Sequence, residues 1–157
     1  MIGKKISAAP TLPQEGSLLV SWETLHRDTR TLAERLREVG TWDALVAVTR
    51  GGLIPAAIVA RELDIRFVDT ICLSSYEGRT RGGLRLLKNP DTALAGKKVL
   101  VIDDLVDSGA TANAVRELLP NAHIATLYAK PAGLASVDTY LMEVAQESWI
   151  VFPWEAE

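Results

Sequence analysis

The amino-acid sequence predicts an α/β fold in which helices flank a mainly parallel central sheet. The first observation is that apolar runs of strand length alternate along the chain with segments of helical periodicity, an order typical of parallel sheets. The second is size, because 157 residues suffice for one domain with a sizeable core. The third is an ordinary globular composition, with 48% hydrophobic and 24% charged residues. We expect a loose N-terminal arm over residues 1–17 and a single domain over residues 18–157.

The N-terminal half contains a helix and then a strand-turn-helix unit. The arm is expected because prolines and a lack of periodicity mark the first residues. Apolar residues then recur at helical spacing between Trp22 and Val39, which predicts a helix over roughly 22–39. Ser21 is the expected N-cap and Gly40 the expected stop. The segment DALVAVTRGGLIPAAIVARELDI indicates a short apolar strand, a Gly-Gly turn and a second helix.

The rest of the chain alternates in the same way. The β-branched residues of RFVDTICLSSY predict a strand. The charged, glycine-rich segment after it, at about 76–96, is expected to be a long mobile loop or a flexible hairpin. Next, KKVLVID predicts a strand, GATANAVRELL a helix and AHIATLYA another strand.

Charge and cysteine content limit the classes of function. A net charge of −3 argues against a generally basic surface for nucleic acid. The single cysteine, Cys72, cannot form an intramolecular disulfide, which fits a reducing, cytoplasmic setting. No apolar stretch approaches the roughly 20 residues that a membrane span needs. We therefore expect a cytoplasmic protein with no membrane span and no nucleic-acid partner.

Two strand-to-helix turns carry the candidate motifs. The first is TRGG at 49–52, and the second is DDLVDSGAT at 103–111. Ligands of open α/β sheets bind outside the carboxyl ends of the strands. Both turns are expected at that edge, so we expect them to share one site.

The second turn suits a phosphorylated sugar. Unpaired N–H groups and partial positive charge at the start of the predicted helix favour a phosphate. Gly109 permits close backbone approach, while the hydroxyls of Ser108 and Thr111 can donate further hydrogen bonds. The carboxylates of Asp103 and Asp104 would instead accept hydrogen bonds from vicinal hydroxyls. The order of these groups matches a 5-phosphorylated ribose.

A structural alternative for this turn is a strand end followed by an acidic helix cap, because Asp and Ser are ordinary N-caps. Two further aspartates at the end of a buried strand disfavour that alternative, since charge packed there is costly without a ligand or cation. The turn contains no lysine, so it is not the GxxxxGK[ST] nucleotide loop.

The stretch KVLVIDDLVDSGATANAVRELL resembles the phosphoribosyl-pyrophosphate-binding motif of type I phosphoribosyltransferases. That motif has an apolar strand, two acidic residues and then an acidic-hydroxyl-Gly-x-Thr phosphate loop. The segments AVTRGGLIPAAIVARELDIRFVDTICLSSY, YAKPAG and ESWIVFPW are similar, in the same order, to those of bacterial xanthine-guanine phosphoribosyltransferases. The resemblance covers nearly all of the chain after about residue 20.

This resemblance implies an enzyme of the type I phosphoribosyltransferase fold. The family joins a purine base to phosphoribosyl pyrophosphate, with Mg²⁺ as cofactor, and releases pyrophosphate and a nucleoside 5′-monophosphate. For this chain it implies purine salvage with xanthine and guanine as bases and weaker use of hypoxanthine, giving XMP and GMP. It also implies a flexible lid at about 76–96 and a small base-binding hood at about 130–157.

The resemblance assigns the residues that bind phosphoribosyl pyrophosphate. Arg50 and Gly51 match the pyrophosphate loop, in which the family often has a cis peptide bond, here Thr49-Arg50. The arginine of the family's lid falls on Gly82 by counting, so Arg81 would take its role by a shift of one residue. The other assigned positions are Asp103, Asp104, Leu105, Val106, Asp107, Ser108, Gly109, Ala110 and Thr111.

Three aspartates have catalytic roles by the same resemblance. Asp104 matches the residue that contacts the metal, directly or through water, while Asp103 matches a contact to the ribose hydroxyls. Asp107 is the candidate general base or hydrogen-bond acceptor near purine N7. In the lid segment, Arg85 and Lys88 are further candidate contacts for anions.

The purine base is assigned to Asp107 together with Lys130, Trp149 and Ile150. The ammonium of Lys130 only donates hydrogen bonds, which suits a purine O6 and disfavours the 6-amino group of adenine. Trp149 matches the residue that stacks on the base, and the backbone of Ile150 matches a contact at the base's 2-position. The structural alternatives are a solvated lysine before a proline turn and a core tryptophan.

Two rival functions stay open on the sequence. One is hypoxanthine-guanine phosphoribosyltransferase, because Lys130 would meet O6 in all three bases. The other is a non-catalytic regulator of the same fold that binds phosphoribosyl pyrophosphate and controls nucleic acid. It would need a basic docking face, which the net charge of −3 disfavours. The resemblance implies a homo-oligomer, a tetramer or dimer, and leaves peripheral attachment to the inner membrane open.

Overall fold

The computed structural model describes residues 16–76 and 83–155. In chain order the elements are β1 (Ser17–Leu19), α1 (Trp22–Val39), β2 (Ala44–Thr49), α2 (Leu53–Glu62), β3 (Phe67–Tyr76), β4 (Gly83–Lys88), β5 (Val99–Val106), α3 (Ala110–Leu118), β6 (His123–Ala129), β7 (Thr139–Glu143) and β8 (Trp149–Val151). Two 3₁₀ helices, Thr92–Leu94 and Pro131–Ser136, lie in the connections. Most of the predicted arm, and Arg81 with Gly82, lie outside the described residues.

Six strands form the central sheet in the order β4-β3-β2-β5-β6-β7. Neighbouring strands are parallel, except that β4 runs antiparallel to β3. The predicted α/β fold with a mainly parallel sheet is therefore confirmed. The strands that follow β2 in the chain, β3 and β4, lie on one side of it, and those that follow β5, β6 and β7, lie on the other side of the sheet. A topological switch point therefore lies between β2 and β5. Ligand sites of such sheets lie at the carboxyl ends of the strands beside the switch point.

The central strands β2, β5 and β6 are mostly buried, and their successive side chains point to opposite faces of the sheet. On β2, Leu45 and Ala47 join the core that contains α1 and α2, whereas Val46 and Val48 join the core that contains α3. Burying one such Leu or Val side chain contributes roughly 1.5–3 kcal/mol. Two-sided burial explains why the strands are near-continuous apolar runs.

Helix α1 has the bounds that the sequence predicts. The Oγ of Ser21 accepts a hydrogen bond from the Thr24 N–H at 3.1 Å, which satisfies one of the unpaired amides at the start of the helix. At the other end the Gly40 N–H bonds to the Leu36 carbonyl at 3.3 Å. Among the described residues, no helix is long and apolar enough to cross a membrane.

Strand β5 is longer than the sequence predicts. The prediction ended the strand at Asp103, but β5 continues to Val106. The partner strand β6 explains the difference, since Asp103 pairs with Thr126 and Val106 pairs with Ala129. The two adjacent aspartates therefore lie within a paired strand, and the turn toward α3 begins only after Val106.

The segment after β3 contains a hairpin strand rather than a loop alone. β4 pairs with β3 through Ser75 and Leu84 at its start. Lys88, at the end of β4, donates from Nζ to the Asp69 carboxylate at 2.9 Å and to the Thr70 carbonyl at 2.7 Å. The ammonium is thus held beside Asp69, although the Lys88 backbone pairs with Cys72, which is level with Thr49 at the end of β2. Contact of Lys88 with a bound anion stays a prediction, and it would require this ammonium to leave Asp69.

A two-stranded parallel ribbon of β1 and β8 stands apart from the central sheet. Its pairs are Ser17 with Trp149 and Leu18 with Ile150. The strand β1 starts at Ser17, the last residue of the predicted arm. The sequence patterns predicted neither this ribbon nor β7, because strands of three to five residues show too little alternation to be recognised.

Candidate active site

A cavity of about 260 Å³ lies at the carboxyl end of β5, beside the switch point of the sheet. Its walls are residues 103–112, from the end of β5 through the first turn of α3, together with Ile124 and Thr126 of β6. The whole of the predicted DDLVDSGAT turn at 103–111 therefore lines one cavity.

The loop at 107–111 leads from β5 into α3. Gly109 has a φ of 91°, a left-handed conformation that favours glycine, and a Cβ there would overlap the Ser136 hydroxyl. The Oγ of Ser108 accepts a hydrogen bond from the Ala110 N–H at 3.3 Å. The first residues of α3 line the cavity, where the helix adds unpaired amides and partial positive charge. This end of the cavity is suited to an anion.

Asp107 does not cap α3. The N-cap residue is Gly109, which makes no side-chain cap hydrogen bond. The Asp107 carboxylate turns to the opposite wall, where Lys130 Nζ donates to Oδ2 at 3.2 Å and Gln146 Nε2 donates to Oδ1 at 2.8 Å. The structural alternative of an acidic helix cap is therefore wrong, and Asp107 is available to the part of the site assigned to the base.

Asp103 and Asp104 concentrate negative charge in a partly buried place. Burial raises the pKa of the Asp103 carboxyl well above its usual range, and the adjacent Asp104 carboxylate raises it further. Burial also raises the pKa of Asp104, to which the charge of Glu155 contributes. Within the pair, the Asp104 N–H donates to Asp103 Oδ1 at 2.9 Å. Such a pair is stabilised in its ionised form by a cation or by hydroxyl donors.

The residues at the acidic pair fit a magnesium ion. Mg²⁺ prefers oxygen ligands, keeps several waters, and is usually held by one or two carboxylates together with substrate phosphates. In the ranges that the structure describes, no cluster of three or more acidic, histidine or cysteine side chains could form a complete cage. Asp103 and Asp104 supply carboxylate oxygens on the cavity wall, and a cation bound there would offset the cost of burying their charge. The site suits a metal that arrives with a phosphorylated substrate.

The turn after β2 packs against the acidic pair. The Thr49-Arg50 peptide bond is cis, as the resemblance implied. A Cβ on Gly51 would lie within 2.6 Å of Asp104 Oδ1, and one on Gly52 would overlap carbonyl oxygens of β2 and β5. Close approach therefore requires glycine at both positions. Arg50 is exposed and has no ion-pair partner within the described residues, so its guanidinium is available to an anion.

Lys130 lies directly after β6 and is almost completely buried, with 6% of its surface exposed. This burial removes the alternative of a solvated lysine before a proline turn. The 3₁₀ helix that follows packs closely on the cavity, because a Cβ on Gly133 would overlap the Val106 side chain and lie 2.9 Å from the Asp107 carbonyl oxygen. The segment that begins at Lys130 is therefore in direct contact with the 107–111 loop.

Trp149 and Ile150 occupy β8 with opposite exposure. Ile150 is buried in the core, while Trp149 is 68% exposed. An exposed indole of this kind is not the core tryptophan of the structural alternative. The ring offers a free face on the hood.

Sequence reasoning missed two residues that belong to this site. Gln146 bonds to Asp107, and Glu155 lies close enough to Asp104 to raise its pKa. Both stand beside the segment ESWIVFPW, at 147–154, that carried the resemblance. Their position in the sequence next to this segment was the one available sign of a role in the site, because a single Gln and a single Glu form no recognisable motif.

Known proteins are similar to this chain in sequence. Residues 21–157 match the family described as the phosphoribosyl transferase domain. The xanthine-guanine phosphoribosyltransferase of Chromohalobacter salexigens is 57% identical over 136 residues, which are 87% of this chain and 82% of that protein. This chain belongs to the phosphoribosyl transferase domain family.

Solved structures of phosphoribosyltransferases have the same fold. A purine phosphoribosyltransferase from Pyrococcus horikoshii matches with a TM-score of 0.81 and 32% identity, over 90% of this chain and 96% of that one. The xanthine-guanine-hypoxanthine phosphoribosyltransferase of Helicobacter pylori matches with a TM-score of 0.74 and 29% identity, over 87% and 92%. The type I phosphoribosyltransferase fold expected from the sequence is thereby confirmed.

Proposed function

We propose that this protein is a purine-salvage phosphoribosyltransferase. It transfers the 5-phosphoribosyl group of phosphoribosyl pyrophosphate to xanthine and guanine, and more weakly to hypoxanthine. The observation that carries the proposal is the convergence, at one end of the sheet, of an anion-binding loop, an acidic pair and the Asp107-Lys130 contact. The 57% identity to a xanthine-guanine phosphoribosyltransferase over most of this chain supports this choice of bases.

The phosphate groups of the sugar are assigned to two turns. We assign the 5-phosphate to the 107–111 loop, where the amides and helix charge at the start of α3 stabilise it. We assign the pyrophosphate to Arg50 and Gly51, because an exposed guanidinium and a glycine turn permit charge pairing and close backbone approach. Leu105 and Val106 carry the backbone from the acidic pair to the 107–111 loop.

The ribose and the metal are assigned to the acidic pair. Asp103 accepts hydrogen bonds from the 2- and 3-hydroxyls, and Asp104 contacts Mg²⁺ directly or through water. Bound Mg²⁺ supplies charge neutralisation on the pyrophosphate leaving group. As the bond from C1 of the ribose to pyrophosphate breaks and the bond to the purine nitrogen forms, positive charge develops on the sugar. The nearby carboxylates stabilise that charge.

The purine is assigned to the hood side of the cavity. Lys130 donates to O6, Trp149 stacks on the ring, and Asp107 accepts the hydrogen bond or proton at N7. The Ile150 backbone meets the 2-position of the base. A buried ammonium that has only donors favours 6-oxopurines and disfavours adenine.

The two rival functions differ from this proposal in one measurement. A hypoxanthine-guanine enzyme would use the same fold and the same Lys130, with hypoxanthine preferred over xanthine. A regulator of the same fold would bind phosphoribosyl pyrophosphate without base-dependent turnover. The net charge of −3 gives such a regulator no general attraction to nucleic acid.

The test is pyrophosphate release from phosphoribosyl pyrophosphate and Mg²⁺, with xanthine, guanine, hypoxanthine or adenine as the base. We expect kcat/KM for xanthine and guanine to exceed that for hypoxanthine, and no release with adenine. A higher kcat/KM for hypoxanthine than for xanthine would favour the hypoxanthine-guanine reaction. If the protein binds phosphoribosyl pyrophosphate but releases no pyrophosphate with any base, the enzymatic function is contradicted and the regulator is favoured.

Substitution of Trp149 tests the base site separately. Because the indole is 68% exposed, its loss should affect folding little. We expect Trp149→Ala to raise KM for guanine about tenfold, as a stacking contact of 1–3 kcal/mol implies. Trp149→Phe keeps an aromatic face and should retain most of the affinity. An equal change in KM for guanine in the two variants would contradict a stacking role for Trp149.

We also propose that the protein is a cytoplasmic homo-oligomer, either a dimer or a tetramer. β4 lies at an edge of the central sheet and exposes Leu84 and Leu87, and an edge of this kind is commonly covered by another chain. The single cysteine, Cys72, fits a reducing compartment. Sedimentation equilibrium at micromolar concentration measures the assembly, and a monomer there would contradict it.

A further inference from the structure

Gln146 forms a two-ended bridge inside the candidate active site. Its Nε2 donates to Asp107 Oδ1 at 2.8 Å, and its Oε1 accepts from the Ala132 N–H at 2.9 Å. Gln146 is 39 residues from Asp107 in the sequence and 14 residues from Ala132. It joins the loop after β5, the 3₁₀ helix after Lys130 and the connection between β7 and β8.

The Asp107 carboxylate needs such a support to have one orientation. Its side chain is 58% exposed and lies in a turn, where an untethered carboxylate would sample several rotamers. With Gln146 on Oδ1 and Lys130 on Oδ2, both oxygens are directed to the hood. The Lys130 contact alone leaves rotation about that single oxygen, so the second contact defines the plane of the carboxylate.

The chemistry of the bridge requires an amide. A glutamine side chain donates through nitrogen and accepts through oxygen, so it satisfies a carboxylate at one end and a backbone N–H at the other. A glutamate of the same size would still accept from Ala132, but it would set a second carboxylate against Asp107. An alanine would remove both contacts.

We propose that Gln146 is a positioning residue for base recognition, which sets the plane of the Asp107 carboxylate relative to the purine. The inference rests on the proposed function, since it gives Asp107 a base to recognise. Gln146 also lies in the connection that leads to β8, the strand that carries Trp149. Because the bridge holds the Asp107 side chain, whereas the 5-phosphate is assigned to the amides of the 107–111 loop, we expect a larger effect on the base than on phosphoribosyl pyrophosphate.

The kinetic test compares Gln146→Glu and Gln146→Ala with the matched control Glu147→Gln. Glu147 is the exposed neighbour in the same connection. We expect both Gln146 variants to lower kcat/KM for guanine about tenfold, while KM for phosphoribosyl pyrophosphate stays within about twofold. The control should match the unsubstituted protein. A glutamate variant with full activity, or an equal rise in both KM values, would overturn the positioning role.

A second readout does not depend on turnover. In ¹⁵N-labelled full-length protein, the side-chain amide signal of Gln146 is assigned by its loss in Gln146→Glu. We expect Asp107→Ala to shift that signal and Glu147→Gln to leave it in place. An unshifted signal in Asp107→Ala would show that the bridge is not made in solution and would overturn the inference.

The two readouts separate failure of the inference from failure of the proposed function. If the unsubstituted protein releases no pyrophosphate with any 6-oxopurine, the proposed function fails, and base positioning fails with it, whatever the amide signal shows. If the unsubstituted protein is active and the Gln146 variants behave like the control, only the role of Gln146 fails.

Discussion

The contact between Gly51 and Asp104 illustrates how a glycine sets the geometry of this site. The turn after β2 approaches the acidic pair so closely that no side chain fits between them. This approach keeps the backbone of the proposed pyrophosphate turn next to the carboxylate that is assigned to the metal. Each group would then act on the same leaving group.

Substituting Gly51 should therefore damage the reaction more than the fold. The Cβ of Gly51→Ala would overlap the Asp104 carboxylate and displace it. Because displacements of about 1 Å in a catalytic site cost about 100-fold in rate, we expect kcat/KM to fall by about that factor. The far-UV circular dichroism spectrum should not change. Gly40→Ala is the matched control, since a Cβ at Gly40 meets nothing within 4 Å. Full activity of Gly51→Ala would contradict the proposed approach.

Asp138 directly precedes β7 and connects it with α3 and with the start of β6. Its Oδ2 accepts hydrogen bonds from Arg116 Nη2 of α3 and from the Ile124 N–H of β6, each at 2.8 Å. Burial alone would raise the pKa of Asp138, but these hydrogen bonds outweigh burial, so the pKa lies below its usual value. The carboxylate thus stabilises the docking of α3 beside the start of β6 and β7.

This depressed pKa predicts a loss of stability in acid. The contribution of Asp138 is present above its unfolded pKa of about 3.9 and is lost as the pH falls through the folded value. We expect Asp138→Asn to lower the free energy of unfolding by about 0.5 kcal/mol at pH 7, a modest value because solvent screens the pair. Urea denaturation should show this difference at pH 7 and a decrease in it as the pH is lowered below about 3.9.

A suitable control for that measurement is Asp64→Asn. Asp64 is exposed and has a φ of 51°, a conformation that Asn tolerates well. The Asp64 variant should match the unsubstituted protein in urea denaturation at pH 7. A deficit of Asp138→Asn that stays constant between pH 7 and pH 3 would contradict the assigned role of the charge.

The molecule as a whole consists of two cores on either side of one sheet, with the proposed site at the end of the central strands. A ligand held there, as proposed, would contact the turns after β2 and β5, which are neighbouring strands of the sheet. Only the folded chain brings these turns together. Binding is therefore coupled to the stability of the entire fold.

Phosphoribosyl pyrophosphate with Mg²⁺ should raise the melting temperature of the protein. At a ligand concentration about 100 times Kd, linkage predicts roughly 2.7 kcal/mol of stabilisation, or about 5–10 °C for a chain of this size. Differential scanning calorimetry measures the shift. Addition of EDTA, or the substitution Asp104→Asn, should remove most of it. An equal shift in EDTA would argue against a metal at Asp104.

The sequence patterns determined the local elements and their order. Helix α1 with its Ser21 cap, the strand before Asp103 and the Gly109 turn are recognisable because each depends on residues within a few positions of one another. The alternation of these elements also predicted a mainly parallel sheet. The placement of two motifs at one edge follows from that sheet, since all its parallel strands end there.

The tertiary structure decided which side chains meet across the site. The contact of Gln146 with Asp107 joins residues 39 positions apart, and the effect of Glu155 on Asp104 depends on the return of the C-terminal segment. The same holds for β8, whose three residues become a strand only because β1 pairs with them. Such contacts depend on how separate elements pack, and no local periodicity encodes that packing. The physical reason is that short-range patterns specify elements, whereas long-range burial and hydrogen bonding specify the site.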